Sequence, residues 1–349
     1  MKPYGVVRKF FGSKLPSVRQ ETVGIDIGSY SIKVASVVRD EDKHILSAYN
    51  VKRIPTDGAA PGKTEKLVRD ALREVDIRPA EVNFSVSGSN VIVRFISLPK
   101  MPREQMENAM TFEAERYIPF SVNEVIMDSL ILDNSGAGQM NVLLAAAKRD
   151  IVHPRIEMLG KLGLGVNIID ISIFAVFNAF LSFNTLADDK GTVFFDLGHS
   201  QTDVLISTGS IPRFMRLIQI GGKDVTAAIS EDMGVSMEEA EELKLKGDEE
   251  SGKKTVQSTF AVLDELVKEM QLSFGYFENR YNKGIGDIYC SGGMVYQAGV
   301  VEYLQEKLGA QLKVWNPVAG MEVSESLSRE AVEAAASRLT ASIGLAFRG

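Results

Sequence analysis

The stretch "GIDIGSYSIKV", residues 24–34, ends an apolar strand and sets a carboxylate, a glycine, two serines and a lysine within a few positions. A structural corner needs only the glycine. Phosphate binding uses the whole set, because backbone N–H groups can close on an anion only where side chains are small. A second stretch, "DLGHSQTDV" (196–204), repeats the order Asp, apolar, Gly, small polar residues and a final Val. Gly28, Ser29 and Tyr30 in the first turn, and Gly198, Ser200, Gln201 and Thr202 in the second, are therefore candidates to line a phosphate chain. Lys33 supplies a compact positive charge. Asp26 and Asp196 are placed to hold a hydrated magnesium ion between the two turns, through water.

Two further stretches extend the site. "SGGMVYQAG" (291–299) is a turn where an adenine can lie against backbone, at Gly292, Gly293 and Met294. "GGKDVTAAI" offers Gly221, Gly222 and Lys223, and the charged run after it carries Glu241 and Lys244. Three positions apart, these two share one helix face and can reach a ribose or base edge together.

These residues must be held by two similar frames. Val23–Val38 reads as strand, turn, strand, and so does "GTVFFDLGHSQTDVLIS" (191–207). The repeated hairpin predicts a duplicated architecture with one hairpin at the front of each lobe. Helical spacing is present in 64–75, and "EVNFSVSG" (81–88) is a strand. Residues 102–120 form an amphipathic helix stopped before Pro119, and 125–132 with 140–147 form a hairpin. A helix over 150–164 carries Pro154 in its first turn. "IDISIFAVFNAFLSF" (169–183) is a buried helix, and a helical stretch fills about 222–282, interrupted by "KGDEESGKK".

Composition narrows the class. The chain has 349 residues, enough for two core-forming lobes. Its net charge of -7 excludes a general electrostatic nucleic-acid binder. A single cysteine, Cys290, excludes an intrachain disulfide, suits a reducing compartment and reads as a small buried residue. No apolar run is long enough for a transmembrane helix. The first segment is basic, with Lys2, Arg8, Lys9, Lys14 and Arg19 before any acid. Its plainer reading is a flexible solubilising tail, and its functional one is an arm touching anionic lipid or a partner.

Together the two turns, the adenosine turn and helices near 171–183 and 332–346 resemble the actin-like ATPase superfamily, over nearly everything from Thr22 to Gly349. Within it, "VGIDIGSYSIKV", "FEAERYIPF" and "LLAAAKRD" resemble the PilM family of type IV pilus assembly proteins, on the FtsA branch. The resemblance implies an α/β, ribonuclease H-like duplicated fold of two lobes with an inserted subdomain. On that plan, residues 1–20 are a flexible arm, 21–89 and 166–190 build the first lobe, and 90–165 are the insert. Residues 191–320 form the second lobe, helical over about 221–285, and 321–349 return to the first.

The same resemblance implies ATP and magnesium between the lobes. It implies a groove beside the insert for the cytosolic N-terminal peptide of a PilN-like inner-membrane protein. Contacts with other pilus assembly proteins, self-association and a place at the cytoplasmic face of the inner membrane, reached through partners, follow from it too. His199, Ser200 and Gln201 stand where chaperone-like relatives carry glycines, so binding with weak hydrolysis is the expectation. Two rival readings are a small-molecule kinase of the same superfamily and an FtsA-like filament protein.

Other features carry plainer readings. "GAAPGKT" (58–64) has three residues between its glycines where a P-loop has four, and no strand precedes it. His44, His153 and His199 have no metal-ligand spacing. Met106, Met110, Phe112 and Tyr117 are expected in a core, while Pro119 can present Tyr117 and Phe120 beside a groove.

Overall fold

The computed structural model describes residues 20–40, 43–55, 62–136, 138–246 and 252–348. The basic arm, and most of "GAAPGKT", lie outside them. The first lobe opens with strands β1 (Gln20–Ile27), β2 (Ser31–Asp40) and β3 (Lys43–Arg53), then helix α1 (Lys63–Glu74) and strand β4 (Glu81–Val86). Next come β5 (Val91–Pro99), α2 (Arg103–Glu113), β6 (Val125–Gly136), β7 (Gln139–Lys148) and α3 (Arg149–Lys161). Strand β8 (Gly165–Ile171) and helix α4 (Ser172–Phe183) lead to the second lobe.

That lobe holds β9 (Gly191–Leu197), β10 (Thr202–Thr208), β11 (Ile211–Ile218), α5 (Gly222–Met233), α6 (Met237–Lys246) and α7 (Gly252–Tyr281). It closes with β12 (Ile285–Gly292), α8 (Val300–Leu308) and β13 (Leu312–Val314). Strand β14 (Glu322–Val323) and helices α9 (Arg329–Ala335) and α10 (Thr340–Ala346) return to the first lobe.

The two large sheets follow one plan. The first runs β14-β3-β2-β1-β4-β8 and the second β11-β10-β9-β12-β13. In each, a front strand pairs antiparallel with the strand after its turn and parallel with a later one: β1 with β2 and β4, β9 with β10 and β12. Tight turns join the antiparallel neighbours, and the parallel ones need helical crossovers. Apolar side chains on β1, β2 and β4 pack with those of α1 and α4, while β9, β10 and β12 pack with α5, α7 and α8.

The C-terminal helix α10 is wedged where the first sheet meets α4. Asn83 Nδ2 donates to Leu345 O at 2.8 Å from within the core. Arg348, at the end of α10, pairs with Asp170 of β8 at 3.1 Å with both side chains buried. Backbones approach closely here, and glycines permit it: a Cβ on Gly344 would lie 2.1 Å from Ala175 O, and one on Gly24 would lie 2.0 Å from Ser342 O.

The third sheet, β5-β7-β6, is separate. One face buries Met106 and Met110 of α2 against Val142 and Leu144. The other carries Val93, Leu143 and Ala145 into the first lobe's core. It also touches the second lobe, through an ion pair between Asp133 of β6 and Arg213 of β11 at 2.6 Å, with side chains 24% and 14% exposed. Burial pushes the Asp133 carboxyl up, but Arg213 and Asn141 outweigh it and hold it below the usual range. Asp133→Ala leaves the mostly buried Arg213 without its carboxylate, keeping the Thr208 hydroxyl at 2.8 Å, and an expected loss of about 1–3 kcal/mol follows from that desolvation. Thermal unfolding of Asp133→Ala, Arg213→Asp and the exchange Asp133→Arg/Arg213→Asp checks it. The exchange should recover part of the loss, and three equal melting temperatures would contradict the pairing.

Two local expectations are corrected, and a third is refined. The helix over 102–120 ends at Glu113 and tightens into a 3-10 turn at Ala114–Arg116, well before Pro119. Tyr117 and Ile118 both donate to Ala114 O, which turns Ile118 inward to 4% exposure. Pro154 lies in the second turn of α3, inside the helix. The stretch 222–282 is three helices, and α5 stops at Gly234, whose φ of 66° is the left-handed conformation a C-cap glycine adopts readily.

Candidate functional site

The two turns face each other. Ser29 Oγ donates to Ser200 Oγ at 3.1 Å, although 171 positions separate them. The rings of Tyr30 and His199 lie 4.9 Å apart between centroids. The turns are built alike: Gly28 N–H donates to Ser31 O at 3.1 Å, and Gly198 N–H to Gln201 O at 3.0 Å. In both, a Cβ on the glycine would crowd the turn's own far carbonyl, at 3.1 Å from Ser31 O and 2.8 Å from Gln201 O.

Beneath the first turn, Asp26 Oδ2 accepts from Lys33 Nζ at 2.8 Å, its register partner on β2. Asp26 Oδ1 accepts from Ser85 Oγ at 3.3 Å, and Ser85 Oγ accepts from Ser172 Oγ at 3.0 Å. Beneath the second turn, Asp196 Oδ1 accepts from Ser291 Oγ at 2.7 Å. Its register partner is Asp203, where the first hairpin has Lys33. Gln201 Nε2 donates to both Asp203 oxygens, at 3.0 and 3.1 Å.

Three carboxylates therefore converge with Lys33. Burial pushes the Asp203 carboxyl up to about 7, and Asp196 and Asp26 add to the rise. Burial also raises Asp196, partly offset by the Ser291 hydrogen bond and Lys33. Among the described residues no group of three or more acidic, histidine or cysteine side chains forms a direct metal cage. A hydrated divalent cation held at a distance still fits, because the crowded negative charge is what such an ion relieves.

Helices α5 and α6 close the second lobe's wall. Gly222 and Lys223 donate their backbone N–H groups to Gly198 O and His199 O, at 3.0 and 2.7 Å, so these amides are spent on the turn. Gly221 matters through its missing side chain, since a Cβ there would lie 2.6 Å from His199 O. Glu241 and Lys244 do share a face, but they are buried in a network. Lys244 Nζ donates to Glu241 Oε2 at 2.6 Å, Thr226 Oγ1 at 2.8 Å and Gly222 O at 3.0 Å, which uses all three of its protons. Burial pushes Lys244 down, partly offset by Glu241. Burial pushes Glu241 up, but Lys244 and Thr226 prevail and hold it low. Any ligand contact there exchanges with one of these bonds.

Tyr30 reaches toward this wall from the first lobe. Burial raises its phenol and Glu241 raises it further, while Arg53, placed over the ring at 5.2 Å, opposes them. Burial lowers His199, reinforced by Lys244. At the turn that ends β12, Gly292 has φ 100° and a Cβ there would lie 2.3 Å from Leu197 O, so only glycine fits. Gly293 has open space on its Cβ side, and Met294 is buried against Gly222. Cys290, on the strand beneath, is buried, and its thiol is pushed up to about 12 by burial and by Asp196.

Asp203, Ser85, Ser172, Ser291 and Arg155 are site neighbours that sequence reasoning passed over. Asp203 had a signal, because pairing the two hairpins residue for residue sets it opposite Asp196. Ser291 stood inside the adenosine stretch. The other three come from distant strands and helices with no local pattern.

Duplicated sheets whose front turns meet across a cleft define the actin-like ATPase fold. The chain belongs to the family of type IV pilus assembly protein PilM, which it matches over residues 24–349. Its backbone is similar to that of a PilM-PilN type IV pilus biogenesis complex, with TM-score 0.85 and 27% identity over 95% of this chain and 99% of that one. The ethanolamine utilization protein EutJ from Carboxydothermus hydrogenoformans superposes with TM-score 0.54 at 14% identity, covering 96% and 92% of the two chains. Cell division protein FtsA of Streptococcus pneumoniae serotype 2 (strain D39 / NCTC 7466) is 24% identical over 84% of this chain and 75% of its own. Among the described residues no helix is long and apolar enough to cross a membrane.

Proposed function

We propose that this pilus assembly protein binds ATP with magnesium between its lobes and serves as a cytoplasmic scaffold at the inner membrane. The observation that carries the reading is the meeting of Ser29 with Ser200 and of Tyr30 with His199 directly above Asp26 and Asp196. Gly28 and Gly198 keep the turns open to a phosphate chain, and Lys33 lies within reach of both Asp26 and that chain. Asp26 and Asp196 hold the cation's water shell, and Gly292, Gly293 and Met294 form the floor for the base. When bound, magnesium supplies charge neutralisation of the phosphates. Gln201 spans from Asp203 toward Gly88 of the first lobe, its Oε1 lying 3.8 Å from where a Cβ on Gly88 would sit.

The scaffold role rests on family membership and on the similar complex, in which PilM is joined to PilN. The partner proposed for this chain is the cytosolic N-terminal peptide of a PilN-like membrane protein, seated between the third sheet and the first lobe. The void between them, lined by Val86, Ile126, Ala145, Val152, Asp170 and Ile171, is only about the size of one water, so the peptide would lie along this junction and not inside it.

Calorimetric titration with ATP and magnesium tests the cleft. Wild-type protein should bind, and Asp26→Ala and Asp196→Ala should each weaken binding by about tenfold or more, the scale of one lost charge-assisted contact. Equal affinity in all three proteins would remove the site.

A further inference from the structure

Two rings close the seam between the facing turns, above the carboxylates and lysine that lie beneath it. Tyr30 stands between Ser29 and Ser31, in a turn whose other residues are small. Its ring crosses the cleft to His199, with centroids 4.9 Å apart and planes tilted by 40°. Burial raises its phenol, and the charge and hydrogen bonding of Glu241 raise it further, so the hydroxyl lies against α6. Tyr30 therefore meets the second lobe twice, at its turn and at its helical wall. Both ends of this span are braced. In the first lobe, Arg53 of β3 lies over the ring at 5.2 Å, and Ile54 N–H donates to Tyr30 O at 2.8 Å. In the second, Lys223 N–H donates to His199 O at 2.7 Å, which ties that residue to the start of α5.

We propose that Tyr30 is a built-in competitor of the nucleotide: laid across the cleft onto His199 and Glu241, it occupies the ribose side, and binding must displace it. The inference rests on the nucleotide reading of the cleft. Glu241 Oε2 already accepts from Lys244 and Thr226, so its other oxygen is the one left for a hydroxyl. The phenol of Tyr30 faces the carboxylate that a ribose hydroxyl would use, and the two exclude each other. A triphosphate passing between the turns must also part the two rings. Only molecules with Tyr30 turned aside bind, so the apparent dissociation constant is the intrinsic one divided by their fraction. An aromatic pair shifts such an equilibrium by about two- to thirteenfold. The device lowers affinity and slows association without altering any group that holds phosphate or magnesium.

The test uses the full chain with magnesium-ATP, by calorimetry for affinity and by surface plasmon resonance on tethered protein for rates. Tyr30→Ser removes the competitor and should bind about threefold or more tightly than wild type, with the gain in the association rate. Tyr30→Phe keeps the ring on His199 but loses the phenol, and should fall between the two. His199→Ala releases the ring from the other side, and its gain should shrink when Tyr30→Ser is already present. A residue that only shapes the turn would produce neither the rate split nor the lost additivity. Weaker binding by Tyr30→Ser overturns the inference, because the ring would then be a nucleotide contact. Unchanged affinity overturns it too, as does a gain carried by the dissociation rate. If Tyr30→Ser fails to fold, Tyr30→Phe and His199→Ala decide the matter by the same signs. Folded wild-type and Tyr30→Ser proteins that both bind no nucleotide remove the cleft reading itself, and this inference with it.

Discussion

Asp203→Asn is expected to stabilise the cation-free protein at pH 8 by up to about 4 kcal/mol, with the gain vanishing near pH 4. The folded state raises this carboxyl from 3.8 to about 7 through burial and the Asp196 and Asp26 charges. Between those values the folded chain keeps a proton that the unfolded chain has released. The group's contribution to stability is therefore complete below about pH 4 and declines as pH rises, until it is lost above about 7. Asparagine mimics the neutral acid and removes the decline. Urea midpoints from pH 4 to 8 in EDTA read the effect, and magnesium should narrow it by offsetting the same charge. Parallel pH profiles for the two proteins would show that Asp203 ionises freely in the fold.

The second large effect concerns Gly344, where two physical tendencies oppose each other. Helix propensity favours alanine over glycine by about 1 kcal/mol. Packing runs the other way, because the new methyl would stand 2.1 Å from Ala175 O, and Val176 N is 3.1 Å away. Both neighbours are backbone, so relief requires α10 to move off α4. Overpacking typically costs about 1–3 kcal/mol, and contact with backbone belongs at the upper end. Gly344→Ala should therefore lose about 2 kcal/mol net despite its better helix former. Chemical unfolding decides between them: a raised midpoint would mean that the helix pair yields easily.

Much of this was legible because it is local. A carboxylate, a glycine and small hydroxyls at the end of an apolar strand mark a turn that leaves backbone exposed, and both hairpins stand where that pattern put them. The duplicated lobe plan followed from their echo, and the sheets repeat it strand for strand. Helix ends were less readable. The chain leaves α2 at Glu113 through a 3-10 turn that brings Ile118 into the core, and no residue type announces that. Glu241 and Lys244 show a different limit. Their spacing placed them on one face, but Thr226 and the Gly222 carbonyl, which use up Lys244's donors, come from α5. Arg155 and Ser85 were invisible for the same reason.

The matching positions of Lys33 and Asp203 have one further consequence. Halves that fold alike here carry a lysine and an aspartate at equivalent rungs of their ladders, the lysine paired with Asp26 and the aspartate holding its proton up to about pH 7. The two walls are therefore near-copies in backbone but not in charge, and the difference between them widens as Asp203 ionises above about pH 7.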